Sequence, residues 1–346
     1  MHQFQPESIT ICFYRPFTKS YLYFSKDWNA RIYQMPCIFP SAGMGNRMIC
    51  VTSLGAKKGF SVLISKALID LNMLEAGAQC FPLKLYEKNS LADASIKTND
   101  MQDELVANPQ SSSSTKSNTQ YTAKDGITDA GLVHFQIAYS TEILTKEDVF
   151  YYIYGLLHSE DYKKRYADNL SKELPRIPCV KKASDFWIFS KAGRDLAELH
   201  LNYETVNCYP VKLDTGNKKL NELGDKDYYV EKMRFANKED KSVVVYNNHI
   251  TIKEIPLEAY EYVVNGKPAL EWVMERQAVT THKESGIVND ANLWAIETMN
   301  DAAYPLKLFQ RVITVSLETM KIINALPRLD IATNLITNPI KDSTLV

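Results

Sequence analysis

Across 346 residues the sequence contains no Pro-Pro pair. The Asn/Asp-Pro-Pro-aromatic loop that holds a flipped adenine for methyl transfer is therefore absent. No Gly-x-x-x-x-Gly-Lys-Ser/Thr segment is present to cradle a nucleoside triphosphate. Gly43-Met44-Gly45 begins like a dinucleotide fingerprint, but Met48 stands where the third glycine is needed, so a turn is the simpler reading. The six cysteines (12, 37, 50, 80, 179, 208) form no CxxC pair, and most lie in apolar or aromatic surroundings. Reduced, buried thiols in a cytoplasmic setting are expected. The six histidines show no i, i+4 pairing, which argues against a structural metal site. There is no apolar run of about 18 residues to cross a membrane. The N-terminal MHQFQPESIT also lacks the basic start and apolar centre of a signal peptide.

A surplus of positive charge is missing too: 40 Lys and Arg stand against 41 Asp and Glu. Most of the affinity of a DNA binder comes from neutralising phosphates. A nucleic-acid function would therefore need cations gathered on one face, or supplied from outside the chain. What remains is an ordinary globular composition, 45% hydrophobic and 23% charged. That is enough for one large domain or two modest ones.

The patterns predict an α+β fold. Residues 1–88 read as β-rich: Ile9, Ile11 and Phe13 alternate with polar or small residues, and apolar runs follow at 21–24, 48–51 and 60–64. A strand is expected over 80–86, with Pro82 marking an edge or a bulge. Residues 89–126 hold four serines in a row and Tyr121 as their only aromatic, so a flexible surface insertion is expected. Residues 127–204 read as helical, with helices near 128–140, 145–158, 160–171 and 184–203. Their caps are Thr145 (with Asp148 at the third position), Ser159 and Ser184. Residues 205–330 mix strands and helices. Tyr228 to Phe235 reads as one strand, and 243–246 pairs with 249–252 across the two-residue turn Asn247-Asn248. Helices follow at 268–277 and at 305–325, the second with Leu308, Val312, Val315 and Ile322 inward. Residues 331–346 form a tail.

The densest signal is Tyr151 to Pro178, two amphipathic helices ending on a basic corner that contains proline. Between 160 and 182, seven cations (163, 164, 165, 172, 176, 181, 182) face four acids (160, 161, 168, 173). Lys163, Lys164, Arg165 and Arg176 suit a phosphate backbone, although a solvated charged face explains them as well. Arg15 and Lys19 flank an aromatic strand pair and could be cations of an ordinary edge. Lys232 and Arg234 alternate with Met233 and Phe235, so they share a wet sheet face. Asn247 and Asn248 could bond adenine edges or serve only their turn. Glu239-Asp240-Lys241 has the Glu-x-Lys spacing of metal-dependent nucleases, but it falls in a polar hairpin tip.

Seven ordered segments carry a family resemblance. They are YRPFTKSYLYF at 14–24, QCFPLKLYE at 79–87, YYIYGLLHSEDYKKRYADNLSKELPRIP at 151–178, DFWIFSKAGRDLAELHLNYE at 185–204, VEKMRF at 230–235, the stretch 246–277, and RVITVSLETMKIINALPRLD at 311–330. Together they resemble the C-terminal specificity domain of type ISP restriction-modification enzymes. The resemblance implies a target recognition domain for double-stranded DNA that is non-catalytic by itself. Its neighbour would be an adenine methyltransferase domain of the same or a split polypeptide. It also implies that S-adenosylmethionine, ATP and magnesium belong to other domains. The alternative is a module that docks other protein domains without reading bases.

Overall fold

The computed structural model describes residues 4–41, 44–75, 77–89 and 121–331. Gly43, the serine run and the tail beyond Ile331 lie outside the described residues. The fold is α+β, with 36% helix and 20% strand. Strand β1 (Ile9–Arg15) pairs antiparallel with β2 (Thr18–Tyr23), and a register shift falls between Phe13 and Arg15. Cys12 and Phe13 are buried, whereas Ile9 and Ile11 face outward. A short helix α1 (Met35–Ile38) leads to β3 (Met48–Val51) and β4 (Val62–Ser65). Strand β5 (Leu68–Ile69) then returns to lie parallel to β1. Strand β6 (Gln79–Pro82) completes a sheet of order β4-β3-β6.

This small sheet divides the molecule's two cores. Met48, Cys50 and Leu63 pack with residues of the C-terminal half, while Ile49, Val51, Val62 and Ile64 pack with the helical region. With both faces covered, β3 and β4 are buried throughout, which explains runs without polar alternation. Pro82 closes β6 on the sheet edge, where a missing N–H costs no ladder bond.

Strand β7 (Lys84–Lys88) pairs with β8 (Tyr121–Asp125). The end of the stretch expected to be a flexible insertion is therefore a strand. Its pairing comes from residues more than thirty positions upstream, which local composition cannot reveal. Gly126 follows, donating to the Leu83 carbonyl at 2.8 Å. A Cβ there would lie 1.8 Å from the Pro82 carbonyl oxygen.

Helix α2 (Asp129–Ala138) starts at a Thr128 cap. Helix α3 (Lys146–His158) has the predicted capping box of Thr145 and Asp148, and Ser159 caps α4 (Glu160–Arg165). The single helix expected over 160–171 breaks at Tyr166 and resumes as α5 (Ala167–Leu170). Helix α6 (Ala183–Leu201) begins one residue early, so Ser184 lies inside its first turn and does not cap it. Helices α3 and α6 cross at two glycines. A Cβ on Gly193 would sit 1.8 Å from the Tyr151 carbonyl oxygen, and one on Gly155 would sit 2.1 Å from that of Phe189. Only glycine permits this approach.

The C-terminal half holds a sheet of order β10-β11-β12-β9, built from β9 (Lys212–Asp214), β10 (Arg234–Phe235), β11 (Val244–Val245) and β12 (Thr251–Lys253). The long strand expected over 228–235 shrinks to β10. The reason is that Asn292 binds both the N–H and the carbonyl of Val230, at 3.0 and 2.9 Å, and Val279 binds the Glu231 carbonyl. Hairpin β13 (Val263–Val264)/β14 (Lys267–Pro268), helix α7 (Ala269–Arg276) and hairpin β15 (Val279–Thr281)/β16 (Val288–Asp290) follow. The last helix, α8 (Tyr304–Asn324), buries Leu308, Val312 and Val315 as predicted, with Ile322 half-buried. No helix among the described residues is long and apolar enough to cross a membrane.

Candidate nucleic-acid interface

The basic corner is held from beneath by tyrosines. Tyr139 donates to the Val180 carbonyl at 2.6 Å, Tyr152 to that of Pro178 at 2.6 Å, and Tyr162 to that of Arg176 at 2.8 Å. Burial pushes all three phenols above their ordinary range, so they remain donors. The segment 176–180 is thereby clamped in extended form against α2, α3 and α4. An antiparallel bridge from Val180 to Ile331 and a bond from the Lys181 N–H to the Asp330 carbonyl secure its far side.

The cations on this corner differ in what they touch. Lys163 pairs with Glu160 at 3.1 Å on its own helix, and Arg176 makes two contacts to Glu173, at 3.0 and 2.9 Å. Lys164 and Arg165 are exposed and have no carboxylate partner among the described residues. The same holds for Lys172, Lys181 and Lys182. Sequence reasoning counted those three in the corner's charge without selecting them. Local spacing gave no signal for them, since Asp168 stands four positions before Lys172 and Asp185 stands four after Lys181 and three after Lys182.

Arg15 and Lys19 are engaged inside the protein. Arg15 bonds Asp70 and the Tyr14 carbonyl, both at 2.6 Å, and its guanidinium lies 4.1 Å from the Tyr14 ring centre. Lys19 pairs with Glu204, which also accepts from the Tyr304 hydroxyl at 2.7 Å. The Lys19 ammonium lies over the Phe13 and Tyr203 rings at 5.6 and 5.5 Å. The two cation side chains are only 19% and 15% exposed. They tie β1 and β2 to β5 and to the end of α6.

Lys232 and Arg234 both reach solvent, Lys232 just ahead of β10 and Arg234 within it. The β11–β12 turn has three residues, Asn247 to His249, because the Ile250 carbonyl receives the N–H groups of both Tyr246 and Asn247. Asn247 uses its whole amide on the backbone. Its Nδ2 donates to the Asp227 and Tyr229 carbonyls and its Oδ1 accepts from His249 and Ile250, all at 2.8 Å. A bidentate base contact would require breaking these bonds. Asn248 and His249 are exposed at the tip. Two segments missed by sequence reasoning, a turn and a short 3-10 helix with the residue after it, come alongside. One is 215–219, placed by the Asp214–Thr251 pairing, and the other is 225–229, gripped by Asn247. They add the exposed side chains of Asn217, Lys219 and Lys226.

Over residues 1–308 the chain matches the Type ISP C-terminal specificity domain. The chain belongs to that family. A specificity domain is a recognition module, and catalysis is not its role. No curated protein sequence matches. Among solved structures, the chain is 34% identical, with a TM-score of 0.76, to the ATP-dependent Type ISP restriction-modification enzyme LlaBIII bound to DNA. That match covers 96% of this chain and 19% of the other. It is 33% identical, with a TM-score of 0.73, to a nuclease-deletion mutant of the Type ISP enzyme LlaGI in complex with a DNA substrate mimic, covering 96% and 22%. A third neighbour is the DrdV–DNA complex, 30% identical with a TM-score of 0.71, covering 94% and 29%. The chain thus spans less than a third of the length of each solved relative.

The residues of this specificity domain that imitate enzyme motifs have structural partners. Lys241 pairs with Glu271 at 2.8 Å, and Asp240 accepts from Ser242 N–H and Oγ at 2.9 and 2.6 Å. Glu239 is the exception: its side chain projects into solvent just ahead of them, and only its backbone N–H is bonded, to Asn237 Oδ1 at 3.1 Å. His158 is buried at the end of α3, with Nδ1 on the Tyr154 carbonyl at 2.9 Å.

Proposed function

We propose that this chain recognises a DNA target for a Type ISP restriction-modification enzyme, binding duplex DNA and directing catalytic parts that lie elsewhere in that enzyme. The observation that carries the proposal is the match over 96% of the chain to a polypeptide solved on DNA. The unpaired cations Lys164, Arg165, Lys172, Lys181 and Lys182 support it as phosphate contacts, which fix register without reading sequence. Lys163 and Arg176 join that surface if they exchange Glu160 and Glu173 for phosphate. At the end of the β10-β11-β12-β9 sheet, Asn217, Asn248 and His249 offer free polar groups for base edges, with Lys226, Lys232 and Arg234 nearby for phosphate. Arg15, Lys19 and Asn247 act as braces in this reading. Methyl transfer with S-adenosylmethionine, and ATP- and magnesium-dependent steps, belong to the other parts, in the cytoplasm.

The same reading includes a docking partner, the adenine methyltransferase portion. Phe4, Tyr21 and Trp28 are 64%, 56% and 68% exposed around a hollow of about 470 Å³ that Leu22, Tyr23 and Asn29 also line. The patch continues through Tyr21 to Trp294, with ring centres 5.1 Å apart. Exposed aromatic clusters of this kind mark protein contacts. The test is selection of randomised duplexes with the purified chain at low salt. Enrichment of one sequence is expected. Equal retention of all sequences would remove the base-reading part of the proposal, and retention of none would leave only the docking role.

A further inference from the structure

Strands β3 and β6 place Cys50 directly opposite Cys80. The Leu83 N–H donates to the Arg47 carbonyl at 2.7 Å. This fixes 47 with 83 as a hydrogen-bonded pair and, by alternation, 49 with 81 and 51 with 79. Cys50 with Cys80 is therefore a non-hydrogen-bonded pair, like Met48 with Pro82, whose ring nitrogen could donate nothing. Pairs of this kind bring their Cα atoms to about 4.5 Å with side chains close together, inside the range a disulfide spans. The two sulfurs lie 3.9 Å apart, so a small rotation about each Cα–Cβ bond brings them to bonding distance. On the other side of β3, Thr52 N–H donates to the Ser61 carbonyl at 3.0 Å. Cys50 therefore makes its ladder bonds to β4, and closing a bond to β6 breaks none of them.

We propose that Cys50 and Cys80 form an oxidisable pair, a modification site that closes to a disulfide across β3 and β6 on exposure to hydrogen peroxide or a small-molecule disulfide. Cys80 reacts first, because it is half-buried on an edge strand while Cys50 is fully buried. The Cys80 contact and burial raise the Cys50 thiol well above its ordinary value, which leaves it as the resolving partner. With peroxide, the Cys80 sulfur takes one oxygen, the O–O bond breaks, and a sulfenic acid and one water result. The Cys50 sulfur then bonds to the Cys80 sulfur and expels hydroxide, which leaves as a second water with the Cys50 proton. Two thiols lose two electrons and the peroxide gains them. With a small disulfide, two exchange steps release two small thiols instead. The bond would pin edge strand β6, which runs through Leu83 into β7, onto the partition between the cores. Cys12 and Cys179 are also buried, and burial pushes each up to about 11.

The test treats the full chain, and a Cys37→Ser/Cys208→Ser variant lacking the exposed thiols, with hydrogen peroxide or with oxidised glutathione. Both are then digested with trypsin without reductant. The expected product joins peptides 48–57 and 67–84, weighs two hydrogens less than their sum, and is split by dithiothreitol. The oxidised chain should also melt about 5 °C higher than the reduced chain. In a Cys50→Ser chain, Cys80 should stop at the sulfinic acid or the glutathione adduct. If wild-type Cys80 stops at those same products while Cys50 stays a free thiol, the proposal is wrong. It is equally wrong if both remain thiols after Cys37 and Cys208 have been oxidised.

Discussion

Lys19 and Lys164 carry the same charge on the same chain, yet their surroundings assign them different work. In the N-terminal strands, each selected cation has an acid and an aromatic ring waiting for it. Arg15 meets Asp70 and Tyr14, and Lys19 meets Glu204, Phe13 and Tyr203. In the helical corner two of the four acids are taken by Lys163 and Arg176, and five neighbouring cations remain open to solvent. A phosphate can reach the second group without displacing anything. Reaching the first would require breaking an ion pair inside the fold. Net charge hides this difference, because a chain at −1 can still present a basic face once its internal pairs are removed from the count.

The comparison can be sharpened first with acid. His158 and His200 lie 5.5 Å apart, fully buried, at the base of the corner. His200 bonds the Tyr154 hydroxyl at 2.7 Å and Thr319 at 2.9 Å. Burial holds His200 down to about 3, and burial, His200 and Lys163 depress His158. The folded protein therefore keeps both neutral, while the unfolded chain protonates them near 6.5. Their contribution to stability is full above that pH and falls as pH drops toward the folded values. The loss should reach about 1.4 kcal/mol per pH unit for each histidine. Urea midpoints should be flat above pH 7 and fall below 6.5, and His158→Gln together with His200→Gln should flatten the fall.

The next largest effect is expected at Lys19. Replacing it with Ala leaves Glu204 largely buried without its cation and should cost about 2 kcal/mol in urea unfolding, with no change in DNA affinity. A loss of affinity at unchanged stability would erase the distinction between the two regions. A smaller effect is expected from Tyr162→Phe, which removes one hydrogen bond to the Arg176 carbonyl. It should cost about 1 kcal/mol and speed hydrogen exchange over residues 176–180, leaving β1 and β2 unaffected.

Elements governed by their own neighbours could be read from the sequence, and elements governed by distant partners could not. The Thr145–Asp148 box, the Ser159 cap and the buried face of α3 follow from three- and four-residue spacings, and they are where the pattern places them. Strand β8 and the shortened β10 depend on β7, Asn292 and Val279, so their sequences mislead. The same limit governs the candidate site. Glu204 lies 185 positions from Lys19, and Asp70 lies 55 from Arg15, so no local pattern could show those cations to be engaged. Asn247 looked like a turn residue or a base reader. Which description fits was set by two carbonyls about twenty residues upstream.

The most direct measurement is the salt dependence of duplex binding. Wild-type chain and a Lys164→Ala/Arg165→Ala/Lys181→Ala/Lys182→Ala variant would be titrated with one duplex across a series of salt concentrations, with Lys19→Ala beside them. If the corner follows a phosphate backbone, the log–log slope of the quadruple variant should shrink by about 0.9 for each phosphate that is no longer neutralised. Affinity should weaken about equally for all sequences, and Lys19→Ala should keep the wild-type slope. A quadruple variant that retains both wild-type affinity and wild-type slope would contradict the assignment of the corner to DNA.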